Sequence, residues 1–557
     1  MRAAPAIQTA FSAGEVDPRL QGRVDQSRYY AGAALLRNVL VRPAGGVIRR
    51  PGMRHCATLA GGTDGVRLLP FAFNTVQTYA FAFAAGTFTV FLPDGTQVAH
   101  VTGCPWTATQ AAQLMYAQSA DTLLLFHPDM EPQRIRRGAS DSAWTRDAVP
   151  LAGIPTFDYG AGAEPVISAT RGWPACGIFH EGRLWMGGLR SRPATLLGSR
   201  IGLFFDFDVG TGADDDAINV TILSDQVNAI HALWSGRQLL VMTSGGERAV
   251  NVAPPITPTN IAIEEQSRRG IKRFSNPVEV DGATLFIQGG GAALRQLLYQ
   301  DAELAWRADL LSLLAAHLIR DPVQLAARKG AAADDADYIL LVNSDGTVTV
   351  MTTLRAESIV AFSRWDTDGQ IRSACALASG EVFFATDRAG SVRVEVWDNA
   401  ALMDASLRRV APGGSNIVTG LSHLDGRIVT MIGDGVFMGT ATVSDGQVTL
   451  PRATVTAEVG LRNTLEIRTL PFEPRSPTGS IIGKKARLTN ITARVHQTGP
   501  FEIAGRPVLH RRFGIGPATP LDAPPPVITA DIELRGLIGW RNRADVQVTQ
   551  PEPAPFH

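Results

Sequence analysis

From about residue 170 to 440 the chain repeats one pattern. A short run with apolar residues at alternate positions meets a Gly-rich or Asp-Gly turn and returns as a second such run. The instances begin at Arg183 (RLWMGGL), Leu239 (LLVMTSGGERAV), Thr284 (TLFIQGGGAALRQL), Tyr338 (YILLVNSDGTVTVMTT), Glu381 (EVFFATDRAGSVRVEVWD) and Arg427 (RIVTMIGDGVFMGTATV), at intervals of 43 to 56 residues. Period-two alternation marks strands with one buried face, and turn residues between two such runs mark a hairpin. A recurrence of roughly 40–50 residues is that of propeller blades, each a small antiparallel sheet that buries its faces against its neighbours. A pair of β-sandwiches would also show turns at short intervals and stands as the alternative.

The same alternation occurs earlier. Phe81, Phe83, Phe88 and Val90 keep period two on either side of Ala85-Gly86, which predicts a strand pair, with a further tight turn at Pro93-Asp94-Gly95. The strand TLLLFHP follows at Thr122. Helices are expected in three places. Asp25 can cap a segment from Gln26 towards Asn38, Thr107 or Thr109 can open one over ATQAAQLMYAQ, and 301–319 sets Leu310, Leu313, Leu314 and Leu318 at helical spacing before Pro322. These leucines are expected to be core. Towards the C-terminus VSDGQVTLPRATVTAEVGL and VITADIELRG return to strand. The fold class is therefore mainly β with few short helices. The expected organisation is an N-terminal arm or platform over 1–64, propeller-like blades over 65–440, and a β-rich, barrel-like channel domain over 441–557.

Composition agrees with a turn-rich β protein: of 557 residues, 55 are Gly and 34 Pro, and only 19% are charged. The formal net charge is +0, without the basic excess of a protein that grips nucleic acid phosphates. Lysines number four, at 272, 329, 484 and 485, against 48 arginines. Cys56, Cys104, Cys176 and Cys375 show no CxxC spacing, so neither a disulfide framework nor a zinc site is expected. The N-terminus lacks the apolar core of a signal peptide, and the most apolar stretch, Tyr79–Leu92, is too short to span a bilayer.

The search for chemistry finds no catalytic motif. There is no HExxH or GxSxG, and GSIIGKKA at Gly479 misses the phosphate-loop spacing. GTGADDDA at Gly210 lacks a third glycine. Asp214-Asp215-Asp216 could offer oxygens to a hard cation but has no EF-hand pattern, and adjacent carboxylates in a loop are more often simply solvated. His127, between LLLF and Pro128, reads as a strand-end structural residue. No catalytic residue, cofactor or metal is assigned. Arg42, Arg49, Arg50 and Arg54 cluster among turn residues around Pro51-Gly52. They are candidates for docking the N-terminal arm on a neighbour or on the adaptor.

Long blocks of the chain resemble one family. FSAGEVDPRLQGRVDQSRYYAGAALLRNVLVRPAGGVIRRPGMR (Phe11–Arg54), AQSADTLLLFHPDMEPQRI (Ala117–Ile135) and FHEGRLWMGGLRSRPATLLGSRIGLFFDF (Phe179–Phe207) are similar, in this order, to podovirus tail nozzle proteins, also called tail tubular protein B. So are ITPTNIAIEEQSRRG, GKKARLTNITARV and GWRNRADVQVTQPEPAPF. The resemblance implies a non-enzymatic, homohexameric ring in the virion tail, made in the bacterial host cytoplasm. The ring sits below the portal and adaptor and contacts fibres or spikes. Double-stranded DNA passes through its lumen without tight binding. The short C-terminal region implies a compact nozzle. The rival from another class is a propeller that binds or degrades host glycan.

Overall fold

The computed structural model describes residues 6–60, 65–224, 228–252, 254–332, 335–473, 485–511, 523–536 and 539–557. Five four-stranded antiparallel sheets follow one another along the chain, at 67–102, 115–148, 176–221, 230–267 and 278–310. A sixth begins with Gln324–Arg328, Asp337–Val342, Val348–Leu354 and Ile359–Trp365. The seventh contains Gln370–Ala376, Val382–Arg388 and Ser391–Asp398 and takes its fourth strand, Gly52–Thr58, from the N-terminal part of the chain.

First strands pack against one another from the second to the fourth sheet and from the fifth to the seventh, and Gln370–Ala376 meets Arg67–Ala72; shared apolar cores join the first sheet to the second and the fourth to the fifth, so the seven sheets close a ring. Each interface is apolar. Phe81, Phe83 and Phe88 join Leu123 and Leu125 between the first two sheets, and Leu68 and Ala82 join Phe383 and Val394 between the seventh and first. This is a seven-bladed propeller closed by a strand from the other end of the sequence. Packing round the axis buries the blade faces and leaves only short outer edges.

The hairpin predictions hold. All six strand–turn–strand units found in the sequence lie on paired strands, and Thr78–Ala84 pairs with Thr87–Phe91 across Ala85-Gly86. Two of the predicted helices do not form. Residues 26–38 make a short 3-10 turn, Ser27–Ala31, and then the strand Gly32–Arg37, because Ala33 and Leu36 are buried against Leu465–Thr469. Asp25 bonds Arg23 instead of capping. In 301–319 the strand Ala305–Leu310 completes the fifth blade and a 3-10 turn, Ser312–Leu318, follows. Its leucines divide: Leu318 is 2% exposed, Leu313 62%. The third helix is short. Ala108–Ala112 carries a capping box from Thr107 and Gln110, while Met115–Ser119 is already strand. In each case ladder pairing outweighed a local helical preference.

The domain boundaries also move. The first 64 residues are not a separate arm, since Gly52–Thr58 belongs to a blade. The propeller ends near Asp398 rather than at 440. Beyond it, Asp404–Thr419, Gln447–Leu461, Ile428–Gly433 and Val436–Thr442 form a lobe that continues the seventh sheet. The sixth sheet continues into Gly32–Arg37, Leu465–Thr469, Gln547–Gln550 and Glu502–Ile503, a platform built from both chain ends. Neither C-terminal extension closes, so the barrel-like expectation is not met. Lobe and platform grow outward from adjacent blades.

Candidate functional site

The four arginines singled out in the sequence stand where platform, propeller and lobe join. Arg49 ends the hairpin strand Val47–Arg49, and Arg50 follows it before Pro51 and the closing strand of the seventh blade. Gly52 lies so close to the lobe that an added Cβ would stand 2.2 Å from the Met403 carbonyl oxygen, so this crossing admits only glycine.

Arg50 is 1% exposed. Its Nη1 and Nη2 donate to the Asp404 carboxylate at 2.8 and 2.5 Å. Its Nε donates to Asn38 Oδ1 at 2.9 Å, and its remaining N–H groups reach the Asp366 and Pro51 carbonyls at 3.0 Å. The guanidinium also lies over the Trp365 ring, 5.4 Å from its centroid. Every donor of the fork is thus engaged, by residues from the platform, the end of the sixth blade and the start of the lobe. Burial, the largest influence, would raise the Asp404 carboxyl; Arg50, then Arg388 and a bond from Thr367, together hold it below its ordinary value.

Arg49 is buried beside it. It donates to Gln550 Oε1 at 2.7 Å and to the Asn463 carbonyl at 2.8 Å, tying both C-terminal segments to the joint. Burial first, and then Arg50, pushes its pKa down to about 9, which leaves it cationic at neutral pH. Arg42 reaches Asp335 of the sixth blade at 3.4 Å. Arg54 reaches Asp398 at 3.7 Å and the Asp94 carbonyl at 2.5 Å. The arm-docking assignment is corrected accordingly for Arg49 and Arg50. Their bonded partners lie in their own chain, although the buried Arg49 Nε has none among the described residues.

The sequence did not reveal Asp404, Asn38, Asp366, Asn463 or Gln550, which carry no local motif. Further charges lock the same region. Arg388 and Glu395, both 0% exposed, bond at 2.7 and 2.8 Å within the seventh blade. His55 of the closing strand stacks on His423 of the lobe with centroids 3.8 Å apart, and burial, followed by His423, lowers His55 to about 3.

Glu458 gives a titratable handle on the joint. Burial raises it to about 6, against bonds at 2.8 and 3.1 Å from the Leu402 and Met403 N–H groups. A carboxyl raised on folding costs no stability below its unfolded value; the cost grows as pH rises and is complete above the folded value. Glu458→Gln keeps an acceptor for both N–H groups. It is expected to raise unfolding stability near pH 8 by up to about 2 kcal/mol and to leave it unchanged near pH 4. Denaturant titrations at both pH values check this, and an equal shift at both would contradict it.

The other motifs have plain structural roles. Asp216 Oδ2 accepts the N–H groups of Thr211, Gly212 and Ala213 at 2.9–3.0 Å, so it fastens its own loop. His127 is buried at the end of its strand and bonds Gln113 at 3.0 Å, as a structural residue does. The GSIIGKKA segment lies largely outside the described residues. Among the described residues no group of three or more His, Cys, Asp and Glu is placed to hold a metal, and no helix is long and apolar enough to cross a membrane.

No family model and no curated protein matches the chain. Solved structures do. The WD40 repeats of RRP9 are similar at 11% identity and a TM-score of 0.34, covering 63% of this chain and 99% of that one. The WD40 β-propeller domain of Doa1 is similar at 12% identity and 0.35, over 63% and 98%. The β-propeller domain of Myceliophteria thermophila Cps50 (Swd1) is similar at 10% identity and 0.38, over 62% and 99%. These proteins are propellers, as the sheet pairing here shows independently; at such identities and TM-scores they carry no argument about activity.

Proposed function

We propose that the protein is a non-enzymatic structural subunit of a short bacteriophage tail, assembled as a nozzle ring beneath the portal and adaptor. The resemblance of the sequence blocks motivates this reading. The structural observation that supports it is the lobe at 404–461. Its two longest strands, Asp404–Thr419 and Gln447–Leu461, have 16 and 15 residues. Beyond Ser406, Asp404–Thr419 pairs on one side only, and Val436–Thr442 ends its sheet. Val410 and Ile428 are 72% and 70% exposed. Val410 lies on the one-sided strand and Ile428 on an inner strand of the same lobe; a free edge beside exposed apolar side chains is a template for pairing with another chain, and a head-to-tail contact repeated round a ring covers it. The outer edges of the first five blades are shorter, at four to six residues, and the buried arginine joint ties the lobe to the propeller.

Negative-stain microscopy and light scattering of the purified protein, alone and with its adaptor, test the reading. Rings with a central hole are expected, six-fold by the resemblance. Val410→Asp with Ile428→Asp should give monomers with unchanged melting. A wild-type protein monomeric under both conditions would refute the assembly role. The glycan-binding reading retains one observation in its favour, a cavity among the second to fifth blades.

A further inference from the structure

A half-open cavity of about 470 Å³ lies among the second to fifth blades. Its wall comes from one end of the propeller: the turn after His127, the loop after the strand Arg183–Gly187, the entry to the strand Ile230–Ser235, and the crossing from the fourth to the fifth blade. This volume suits a small organic ligand rather than a bare ion.

The lining chemistry is specific. Leu189, Ile230 and Pro128 supply apolar wall. Two guanidiniums, Arg190 and Arg273, face one carboxylate, Asp129, so the lining carries one net positive charge. Arg190 meets Asp129 at 3.2 Å, and both are exposed. Arg273 forms no ion pair with a described residue. It lies over the Phe274 ring, 4.6 Å from its centroid, and Phe274 stacks in turn on His127 at 5.4 Å. Phe274 has φ +60°, a conformation costly for an aromatic residue, so packing against the second blade holds this segment in a shape it would not adopt alone. That stack places Arg273 at the cavity. His231 binds the Ile271 carbonyl through Nδ1 at 3.0 Å. A carbonyl only accepts, so Nδ1 carries the proton and Nε2 of the neutral ring is an acceptor. Burial, with Arg273 adding to it, lowers the pKa of His231 and keeps the ring neutral at pH 7.

Cations beside acceptors call for a ligand with a negative charge and hydroxyl donors. Phosphate brings charge without enough donors, and a zwitterion leaves the positive charge unmatched. We propose that this cavity binds a carboxylate-bearing sugar, such as a hexuronate unit of an acidic glycan, with Arg190 and Arg273 on the carboxylate and His231 accepting a hydroxyl. Arg forks match carboxylates with two parallel bonds. The site is independent of the ring: it is built within one subunit, and either reading can fail without the other.

The test is saturation-transfer NMR and calorimetry on the full-length protein with galacturonate, galactose and inorganic phosphate at millimolar concentration. Galacturonate should bind, galactose about tenfold more weakly or worse, and phosphate should compete poorly. Arg273→Gln and Arg190→Gln alter exposed side chains, so melting should hold while galacturonate affinity falls about tenfold for each. Equal binding of galactose and galacturonate overturns the proposal. So do competition by phosphate as strong as by galacturonate, an unchanged affinity in the double variant, or no galacturonate signal at all.

Discussion

Arg50→Met will lower unfolding stability by about 3–5 kcal/mol, the usual consequence of leaving one member of a buried ion pair without its partner. The substituted residue keeps much of the side-chain volume, so the loss reports charge rather than a cavity. Asp404, 0% exposed, would keep only its bonds from Thr367 and Asn463, at 2.7 and 3.2 Å. The pH dependence gives a second, sharper signature. The Asp404 carboxyl is lowered on folding, so its stabilisation is fully present above its unfolded value and is lost as pH falls through its folded value. Wild type and Arg50→Met should therefore differ most at neutral pH and converge in acid. Adding Asp404→Leu to Arg50→Met should recover part of the loss, since no charge is then stranded, though Thr367 loses its acceptor and Asn463 keeps only the Leu402 carbonyl, at 3.4 Å. Denaturant midpoints for the three variants measure this, and a loss below about 1 kcal/mol for Arg50→Met would mean that the pair is solvated. Reversing the charges at Arg49 and Arg50 is expected to unfold the subunit, not merely to weaken assembly.

Removing residues 1–58 will abolish cooperative unfolding of the propeller. The deletion takes away Gly52–Thr58, which pairs from Gly52↔Asp398 to Thr58↔Arg393, and with it Arg49, Arg50 and the platform strand Gly32–Arg37. The seventh blade would keep three strands, and the Ser391–Asp398 edge, with Val394 and Val396 in its core, would face solvent. An exposed apolar edge of this kind favours aggregation over a folded ring. Near-ultraviolet circular dichroism during heating is the measurement. A truncated protein that melts as a monomer within a few degrees of the full chain would show that the closing strand contributes little.

Much of the propeller was legible in the sequence for a physical reason. A blade is made of hairpins, and a hairpin writes itself locally: period two on each strand, and Gly or Asp-Gly where the backbone must reverse. LLVMTSGGERAV and YILLVNSDGTVTVMTT carry that whole pattern within a few residues. The failures came where local signals conflict with distant partners. Residues 301–319 have helical leucine spacing, yet Ala305–Leu310 pairs over its whole length with Leu294–Gln300, and the ladder won. At 26–38 the same happened through a strand, Leu465–Thr469, more than 400 residues away.

The arginine cluster shows the division most clearly. Sequence spacing alone drew attention to Arg42, Arg49, Arg50 and Arg54, because four cations among turn residues are conspicuous. It could not say whether they face water. Their partners lie at Asp94, Asp335, Asp398, Asp404, Asn463 and Gln550, and nothing local marks those positions as anion or acceptor sites. What the sequence by itself determined was the β class, the hairpins and the blade interval, all of which arise from contacts between near neighbours. Only the tertiary structure decided that the N-terminal strand closes the ring, that the lobe starts at Asp404, that both chain ends build one platform, and that Arg50 is buried. Each of those depends on chain segments meeting across hundreds of residues, where burial and hydrogen-bond satisfaction, not local pattern, select the partner.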